Sequence, residues 1–220
     1  MLTALFRALG DLASPEFRII LFKAFGLSVA LFFSIFLAVQ ALFWTLTFTS
    51  TPWLESVAEI GASLGLFVAF FFLMAPVIAM FAGLYLDSVA EKVEAKHYAA
   101  HPPGRPQPFL KGLVLAIQFG LIVLVVNVLA LPLVFTGLGA IVLVVINAYL
   151  LSREYFEMAA MRFMAPADAK QLRKDNAVSI FTAGIIPALM ALVPILNLTV
   201  PLFATSYFVH LFKQVQGSSA

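Results

Sequence analysis

The sequence GLVLAIQFGLIVLVVNVLALPLVFTGLGAIVLVVINAYLLS, residues 112–152, contains no Asp, Glu, Lys, Arg or His. A single membrane crossing needs roughly 20 apolar residues, so this run is too long for one helix and must fold back. Pro132, with Gly137 and Gly139 after it, provides the break, because proline interrupts helical hydrogen bonding and glycine permits a tight reversal. The second arm, residues 138–151, would span roughly 21 Å of a hydrocarbon core of about 30 Å. We therefore expect a helical hairpin that enters the bilayer only part way.

The overall composition predicts an all-α integral membrane protein. Apolar residues make up 63% of the chain and charged residues 11%, against roughly 45–50% and 25% in soluble domains. Apolar runs of this length are typical of membrane helices and unlike the short alternating strands of a membrane barrel. The net charge of +2 is too small to indicate a nucleic-acid partner. The chain has no Cys, which excludes disulfides, thiolate metal sites and a Cys nucleophile.

The remaining segments extend this pattern over one membrane domain, residues 1–220. Leucine and phenylalanine recur at helical spacing before residue 13, opposite Thr3, Arg7 and Asp11, which is typical of a helix lying in the membrane interface. A second apolar run near the C-terminus is broken around Pro194. The predicted segments are an interfacial helix (1–13), a first long helix (15–50), a second long helix with a charged extension (58–100), the first hairpin (112–152), a cytoplasmic segment (153–175) and a second hairpin (176–213).

The distribution of charge predicts the orientation in the membrane. With two crossings and two shallow hairpins, all thirteen Lys and Arg residues fall on one face, and the loop opposite carries only Glu55 and Glu59. The positive-inside rule places the basic face in the cytoplasm. We therefore predict a protein of the bacterial inner membrane with both termini cytoplasmic. Six full crossings would give the same sidedness, so charge does not decide between these two topologies.

The start of the first long helix, Ser14-Pro15-Glu16-Phe17-Arg18, is the main candidate site. Ser14 is a suitable N-cap and Pro15 a suitable first helical residue. A helix N-terminus with free N–H groups and a nearby Arg can bind a tetrahedral oxyanion. Glu16 opposes anion binding, because its carboxylate repels an anion and can itself accept hydrogen bonds from the N–H groups. The alternative is an ordinary cap, with Arg18 as a basic anchor at the interface.

Three charged residues after the first hairpin are secondary candidates. Arg153 and Glu157 are four residues apart and can pair along one helical face. Together with Glu154 they can instead line an entrance to a pathway or pair across subunits. Among the asparagines of the apolar runs (Asn127, Asn147 and Asn197), Asn197 is the best pathway candidate, because it lies beside Pro194 in the final break; helix–helix hydrogen bonding is the default role of such residues.

The sequence predicts neither a cofactor nor a metal site. Glu94, His97 and His101 have the spacing of ligands on one helical face, but Pro102 and Pro103 end any helix immediately after them. The chain contains no Gly-rich phosphate loop and no hydrolase or zinc-protease motif. Intramembrane catalysis requires ionisable residues at membrane depth, and the apolar runs contain none. We therefore predict that the protein is not an enzyme.

The order of these segments resembles the CysZ-type sulfate permease family. The phrases Tyr149-Leu150-Leu151-Ser152-Arg153-Glu154-Tyr155-Phe156-Glu157 and Val193-Pro194-Ile195-Leu196-Asn197-Leu198 contribute to the resemblance, which spans nearly the whole chain. In that family a Pro-Gly-apolar-Arg sequence at the start of the first long helix is implied to bind sulfate. The matching residues here are Pro15, Glu16, Phe17 and Arg18, with Glu16 in place of the glycine.

The resemblance implies a passage for a small inorganic anion, sulfate in particular. The flux would be driven by a gradient, because the chain has no nucleotide-binding element. Charge-free helices do not conduct ions alone and shallow hairpins are unstable in isolation, so we expect a homo-oligomer in contact with lipid. The alternative is a non-transporting membrane scaffold that interacts with lipids or protein partners.

Overall fold

The computed structural model describes residues 1–45, 52–106 and 139–218, together with residues 108, 114, 117–118, 121–122, 125–126 and 129. Within these residues the protein is helical and has no strand, which confirms the all-α prediction. The Pro132 break of the first hairpin and Asn127 lie outside the described residues. The described helices are α1 (Leu2–Leu12), α2 (Pro15–Thr45), α3 (Pro52–Gly83), α4 (Leu86–His97), α5 (Gly139–Met161), α6 (Pro166–Asp175), α7 (Ala177–Ala191), α8 (Pro194–Asn197) and α9 (Val200–Ser218).

Helix α1 packs against the rest of the protein through small residues and one polar residue. The sequence places the leucines on the apolar face of an interfacial helix and Asp11 on the opposite, polar face. In the structure Leu2 and Phe6 are exposed, whereas Ala4, Ala8 and Asp11 are buried. The small alanines let α1 lie close against α9, and Asp11 is buried because the neighbouring helices supply its hydrogen-bond partners. The exposed apolar side chains remain consistent with an interfacial helix.

Helices α2 and α3 form a pair of long helices that carries much of the exposed apolar surface. With 31 residues, α2 is about 46 Å long, more than a hydrocarbon core of about 30 Å. Within the described residues, the segment Pro15–Phe43 is the helix long and apolar enough to cross a membrane, and Ser56–Val68 in α3 is a shorter apolar stretch. Large apolar side chains such as Phe22, Phe33 and Phe67 are exposed on this pair. Such a surface suits contact with lipid.

Some helix boundaries differ from the sequence prediction. The charged extension predicted to continue the second long helix to residue 100 is a separate helix, α4, because α3 ends at Gly83 and glycine disfavours helix continuation. The boundary predicted at residue 152 falls inside α5, which continues to Met161. This continuation buries Phe156 and Ala160, so packing extends the helix beyond its apolar stretch. The predicted second hairpin contains α7, α8 and α9, with its break between Ala191 and Val200.

Helix α9 lies at the centre of the packing. It contacts α1, α3, α4, α5 and α7, and its residues from 200 to 212 are all buried. Four of the largest buried side chains belong to it: Phe203, Tyr207, Phe208 and Phe212. One of these rings, Phe212, packs against Phe156 of α5 and against Phe163 in the turn that follows α5. Side chains of α9 therefore hold the surrounding helices in place.

Helices α5 and α7 cross closely because of one glycine. A Cβ atom added at Gly184 would overlap the Ala148 carbonyl oxygen and lie 2.7 Å from the Ser152 Cβ. Buried Ala183 and Ala188 continue the small face of α7. Small residues at a helix crossing allow the backbones to approach, as is common in membrane proteins. This crossing joins the second arm of the first predicted hairpin to the first arm of the second.

Candidate functional site

The corner between α1 and α2 contains the predicted anion-binding residues. The Ser14 N–H donates to the Asp11 carbonyl oxygen at 2.9 Å and closes α1. The Arg18 N–H donates to the Ser14 carbonyl oxygen at 3.2 Å and opens α2. Pro15 fits the first helical position because its missing N–H would have no helical acceptor there. The chain therefore turns from one helix into the next within two residues.

The side chains of this corner divide between the core and the surface. Phe17 is buried, and so is Ile20 one turn later. Both belong to the same core and fix α2 against the rest of the protein. Glu16 and Arg18 are exposed. The Glu16 carboxylate lies close enough to its own backbone N–H and to the Ser14 hydroxyl to interact favourably with both. The structure thus brings Ser14 and Glu16 together and leaves Arg18 at the surface.

Basic side chains from α4 approach this corner. Lys96 and Lys92 both lie close enough to attract the Glu16 carboxylate electrostatically. Arg18 adds a third positive charge on α2 itself. The surface at the start of α2 therefore combines a helix N-terminus with several cations, and Glu16 is the anion that this surface already holds.

A buried polar cluster lies directly behind the corner. The Asp11 Oδ1 accepts hydrogen bonds from Lys96 Nζ and His97 Nε2, each at 2.9 Å. Its Oδ2 accepts from Ser206 at 2.8 Å and from His210 Nε2 at 3.1 Å. We call Asp11, His97 and His210 the Asp–His cluster. These bonds connect α1 with α4 and α9.

The Asp–His cluster keeps Asp11 ionised inside the protein. Burial alone would raise the pKa of Asp11, but the hydrogen bonds from His210, His97, Lys96 and Ser206 together hold this pKa well below its usual range. The ionised carboxylate is therefore stabilised by donors from two other helices. Because Asp11 precedes Ser14 by one helical turn, this network also fixes the position of the start of α2.

A second buried ion pair lies between α4 and the end of α5. The Arg162 guanidinium bonds to Glu94 through Nε at 2.8 Å and through a terminal nitrogen at 3.2 Å, and to Asp87 at 2.5 Å. The Gly104 N–H donates to Glu94 at 2.9 Å. A Cβ atom at Gly104 would lie 2.9 Å from the Arg162 side chain, so this close approach requires glycine. We call this group the Arg162 cluster.

Of the secondary candidates, Glu157 has a different partner from the one that its spacing suggests. Glu157 bonds to Arg173 of α6 at 2.6 Å, rather than to Arg153 four residues before it. The more distant Arg173 approaches because α6 folds back along α5. Arg153 is exposed and Glu154 is half-buried; burial raises the pKa of Glu154, and the negative charge of Glu157 raises it further.

Asn197 and the possible metal ligands on α4 are the remaining residues predicted from the sequence. Asn197 ends α8 half-buried, its N–H bonded to the Val193 carbonyl oxygen at 2.8 Å. Glu94 does not join His97 and His101 as a ligand set, because its carboxylate is engaged with Arg162. Instead, the described residues group His97 with Asp11 and His210.

Comparison with known proteins identifies the family. A family model described as "Sulfate transporter CysZ/Etoposide-induced protein 2.4" matches residues 4–201, most of the chain. The chain belongs to this family. The match confirms the resemblance inferred from the segment order and includes the corner from Ser14 to Arg18. A search of the curated proteins found no match.

The sequence does not indicate that Asp11, His210 and Arg162 are structural centres. It places Asp11 on a polar face and gives His97 the spacing of a ligand, but their partner His210 lies 199 residues after Asp11. Arg162 is 68 residues from Glu94 and stands in a mixed-charge segment where it resembles the other basic residues. Only spatial proximity distinguishes these residues. The family match also ends at residue 201, before Ser206 and His210.

Proposed function

We propose that the protein provides a passage across the bacterial inner membrane for a small inorganic anion, most specifically for sulfate uptake. The observation that carries this proposal is the match of residues 4–201 to a family whose description names a sulfate transporter. The matched region contains the long apolar helix α2 and the basic corner at its start. A scaffold for membrane insertion and a candidate contact for an oxyanion therefore occur in the same segment.

The corner at the start of α2 supports anion recognition on physical grounds. The N-terminus of a helix presents N–H groups and a partial positive charge, which favour phosphate and sulfate groups. Arg18 is exposed there and can supply a charge-assisted bidentate contact. Lys92 and Lys96 add positive potential. An anion would replace Glu16 as the acceptor for the Ser14 hydroxyl.

Transport through the proposed passage is driven by a gradient. It involves no chemical catalysis, so the protein is not an enzyme. Both termini and the basic segments lie on the cytoplasmic side, as the positive-inside rule requires. The exposed apolar faces of α2 and α3 contact lipid or further copies of the chain. A homo-oligomer provides a path lined by helix ends, with Arg153, Glu154, Glu157 and Asn197 as candidate lining or pairing residues.

A second candidate function is a non-transporting scaffold built on the same fold. The observation that favours it is the engagement of Glu16 with the Ser14 hydroxyl and the helix N–H. In that arrangement the carboxylate already satisfies the groups that would bind sulfate, and Arg18 serves as an interface anchor. The two candidates make different predictions about sulfate binding.

Calorimetric titration of sulfate into the detergent-solubilised protein separates the two functions. Removing one charge-assisted contact costs about 1.5–3 kcal/mol, so Arg18→Gln is expected to weaken sulfate binding roughly 10–100-fold. Glu16→Gly removes the competing carboxylate and is expected to strengthen binding. The matched control is Lys23→Gln, which removes an exposed positive charge farther along α2 and should leave the affinity nearly unchanged.

Two results would contradict the proposed site. If Arg18→Gln and Lys23→Gln weaken binding equally, the interaction is general electrostatic attraction rather than a site at the helix start. If neither the wild type nor Glu16→Gly binds millimolar sulfate, the sulfate proposal is wrong and the scaffold function is favoured.

A further inference from the structure

Three side chains from three helices converge inside the protein. Asp11 of α1, His97 of α4 and His210 of α9 each direct one potential ligand atom into the same space, and these atoms all lie within 4.8 Å of one another. The two imidazole rings are 4.8 Å apart between centroids, at an angle of 74°. Both Nε2 atoms point at the Asp11 carboxylate. The Asp–His cluster therefore has the composition and convergence of a metal-binding site.

The distances in the cluster are close to those of a coordination sphere. Nitrogen and oxygen ligands at 2.0–2.1 Å from a tetrahedral ion lie about 3.3 Å from one another. The two Asp11–imidazole separations are 2.9 Å and 3.1 Å, one to each carboxylate oxygen, and the three ligand atoms all lie within 4.8 Å of one another. An ion at the centre would replace the protons now shared between these atoms, and side-chain rotation would bring the ligand atoms to equal distances from it.

The surroundings of His210 provide a second, independent feature of a metal ligand. Its Nδ1 is hydrogen-bonded to the Tyr98 hydroxyl at 2.8 Å. Histidine ligands commonly use their other ring nitrogen in such an outer contact, which fixes the tautomer and the ring orientation.

The cluster is enclosed but accessible from one side. Asp11 and His210 are buried, whereas the His97 side chain is 21% exposed and the Lys96 side chain 54% exposed. Lys96 now bonds to Asp11 Oδ1 and, as a cation, competes with any metal for the carboxylate. Its exposure allows it to move into solvent when an ion takes its place. The route for the ion therefore passes between Lys96 and His97.

We propose that Asp11, His97 and His210 bind one divalent transition-metal ion of the zinc type, which joins α1, α4 and α9 behind the start of α2. Two imidazoles and one carboxylate suit Zn²⁺, whereas Mg²⁺ prefers an all-oxygen sphere. Three protein ligands leave the fourth tetrahedral position to water, on the side of His97. The ion would hold the N-terminal corner against the central helix, independently of whether that corner binds an anion.

The first test measures zinc uptake by the full-length protein without a histidine tag. After removal of bound metals with a chelator, the wild type should bind one Zn²⁺ per chain, and Zn²⁺ but not Mg²⁺ should raise its melting temperature. His97→Gln retains an N–H donor near the position of Nε2 and should fold, but its zinc affinity should fall by more than about 100-fold, because even the loss of an outer contact costs 10–100-fold. The control is His101→Gln, which removes an exposed histidine outside the cluster and should bind zinc as the wild type does.

A second variant tests the competition with Lys96 and does not remove a ligand. Lys96→Ala eliminates the cation that must leave Asp11, so it should bind Zn²⁺ more tightly than the wild type. A structural network without a metal site predicts no zinc-dependent change in any variant. The proposal is wrong if the wild type binds no zinc, if His101→Gln loses as much affinity as His97→Gln, if Mg²⁺ stabilises the protein equally, or if Lys96→Ala weakens zinc binding.

Discussion

The α2–α3 pair and the region around α1, α4 and α9 accommodate polar groups in opposite ways. On α2, the Ser28 and Ser34 hydroxyls each donate to the carbonyl oxygen four residues earlier at 2.8 Å. In the other region Asp11 and Arg162 are satisfied by residues 68 to 199 positions away in the chain. The serines of α2 therefore bond within their own helix, and the Gln40 amide of α2 bonds to the Ser63 hydroxyl of α3 at 3.2 Å. The other region uses buried charged side chains to join several helices.

This contrast follows from the surroundings of each region. Lipid offers no hydrogen-bond partners, so polar groups on a lipid-facing helix must bond within that helix or to a neighbour. The exposed apolar surface of α2 and α3 then requires no specific partner. Around α9, by contrast, buried charges must be paired, because an isolated charge in the interior is strongly destabilising. We therefore expect substitutions at the buried charges to have the largest effects on stability.

Arg162→Ala is the substitution expected to have the largest effect. It leaves Glu94 buried, with the Gly104 N–H as a remaining donor, and breaking a buried pair in this way costs about 3–5 kcal/mol. Denaturant unfolding in detergent measures the loss. The matched control is Lys170→Ala, which truncates an exposed basic side chain on α6 and should change stability by no more than about 0.5 kcal/mol. Equal stability of the two variants would show that the Arg162 cluster does not hold α4 to α5.

The difference between the two regions also explains which features of the fold and of the site can be predicted from the sequence and which cannot. Composition and apolar run length predict the helical class, and cap and proline signals predict the start of α2 at Pro15 and the break near Pro194. These features depend on residues close together in the chain. The buried clusters depend on tertiary packing: the partners of His210 become evident only when α1 and α4 are placed beside α9. Likewise, Glu157 has an acceptable partner in Arg153 by spacing, but Arg173 becomes its partner when α6 folds back.

Gly184→Ala tests the close crossing of α5 and α7, with a smaller expected effect. The added methyl group would meet the Ala148 carbonyl oxygen, and overpacking of this kind costs typically about 1–3 kcal/mol. Gly61→Ala on α3 is the matched control, because a Cβ atom there has no neighbour within 4 Å and alanine stabilises a helix interior by roughly 0.5–1 kcal/mol relative to glycine. Melting temperatures should therefore move in opposite directions. A rise for both variants would show that the crossing has room for a side chain.

Cysteine labelling tests the depth of the second hairpin, with little effect on stability. The chain contains no Cys, so a single introduced thiol gives an unambiguous signal. Leu196→Cys is expected to react poorly with a membrane-impermeant thiol reagent added to the periplasmic side, because a shallow hairpin does not reach it. The control Leu54→Cys, near the predicted external loop and exposed, should react readily.

The corresponding position in the first hairpin is Phe135, which lies outside the described residues. Efficient periplasmic labelling of both Leu196→Cys and Phe135→Cys would contradict the shallow hairpins and support six full crossings. A reporter fused after Lys213 that is active only in the periplasm would overturn the predicted orientation.

Sulfate flux into liposomes containing the purified protein tests the proposed function most directly. With a sulfate gradient and no nucleotide present, wild-type liposomes should take up labelled sulfate faster than protein-free liposomes. Arg18→Gln should abolish this difference, and Lys23→Gln should preserve it. Uptake by the wild type at the rate of protein-free liposomes, or equal uptake by the wild type and Arg18→Gln, would contradict an anion passage that uses the start of α2.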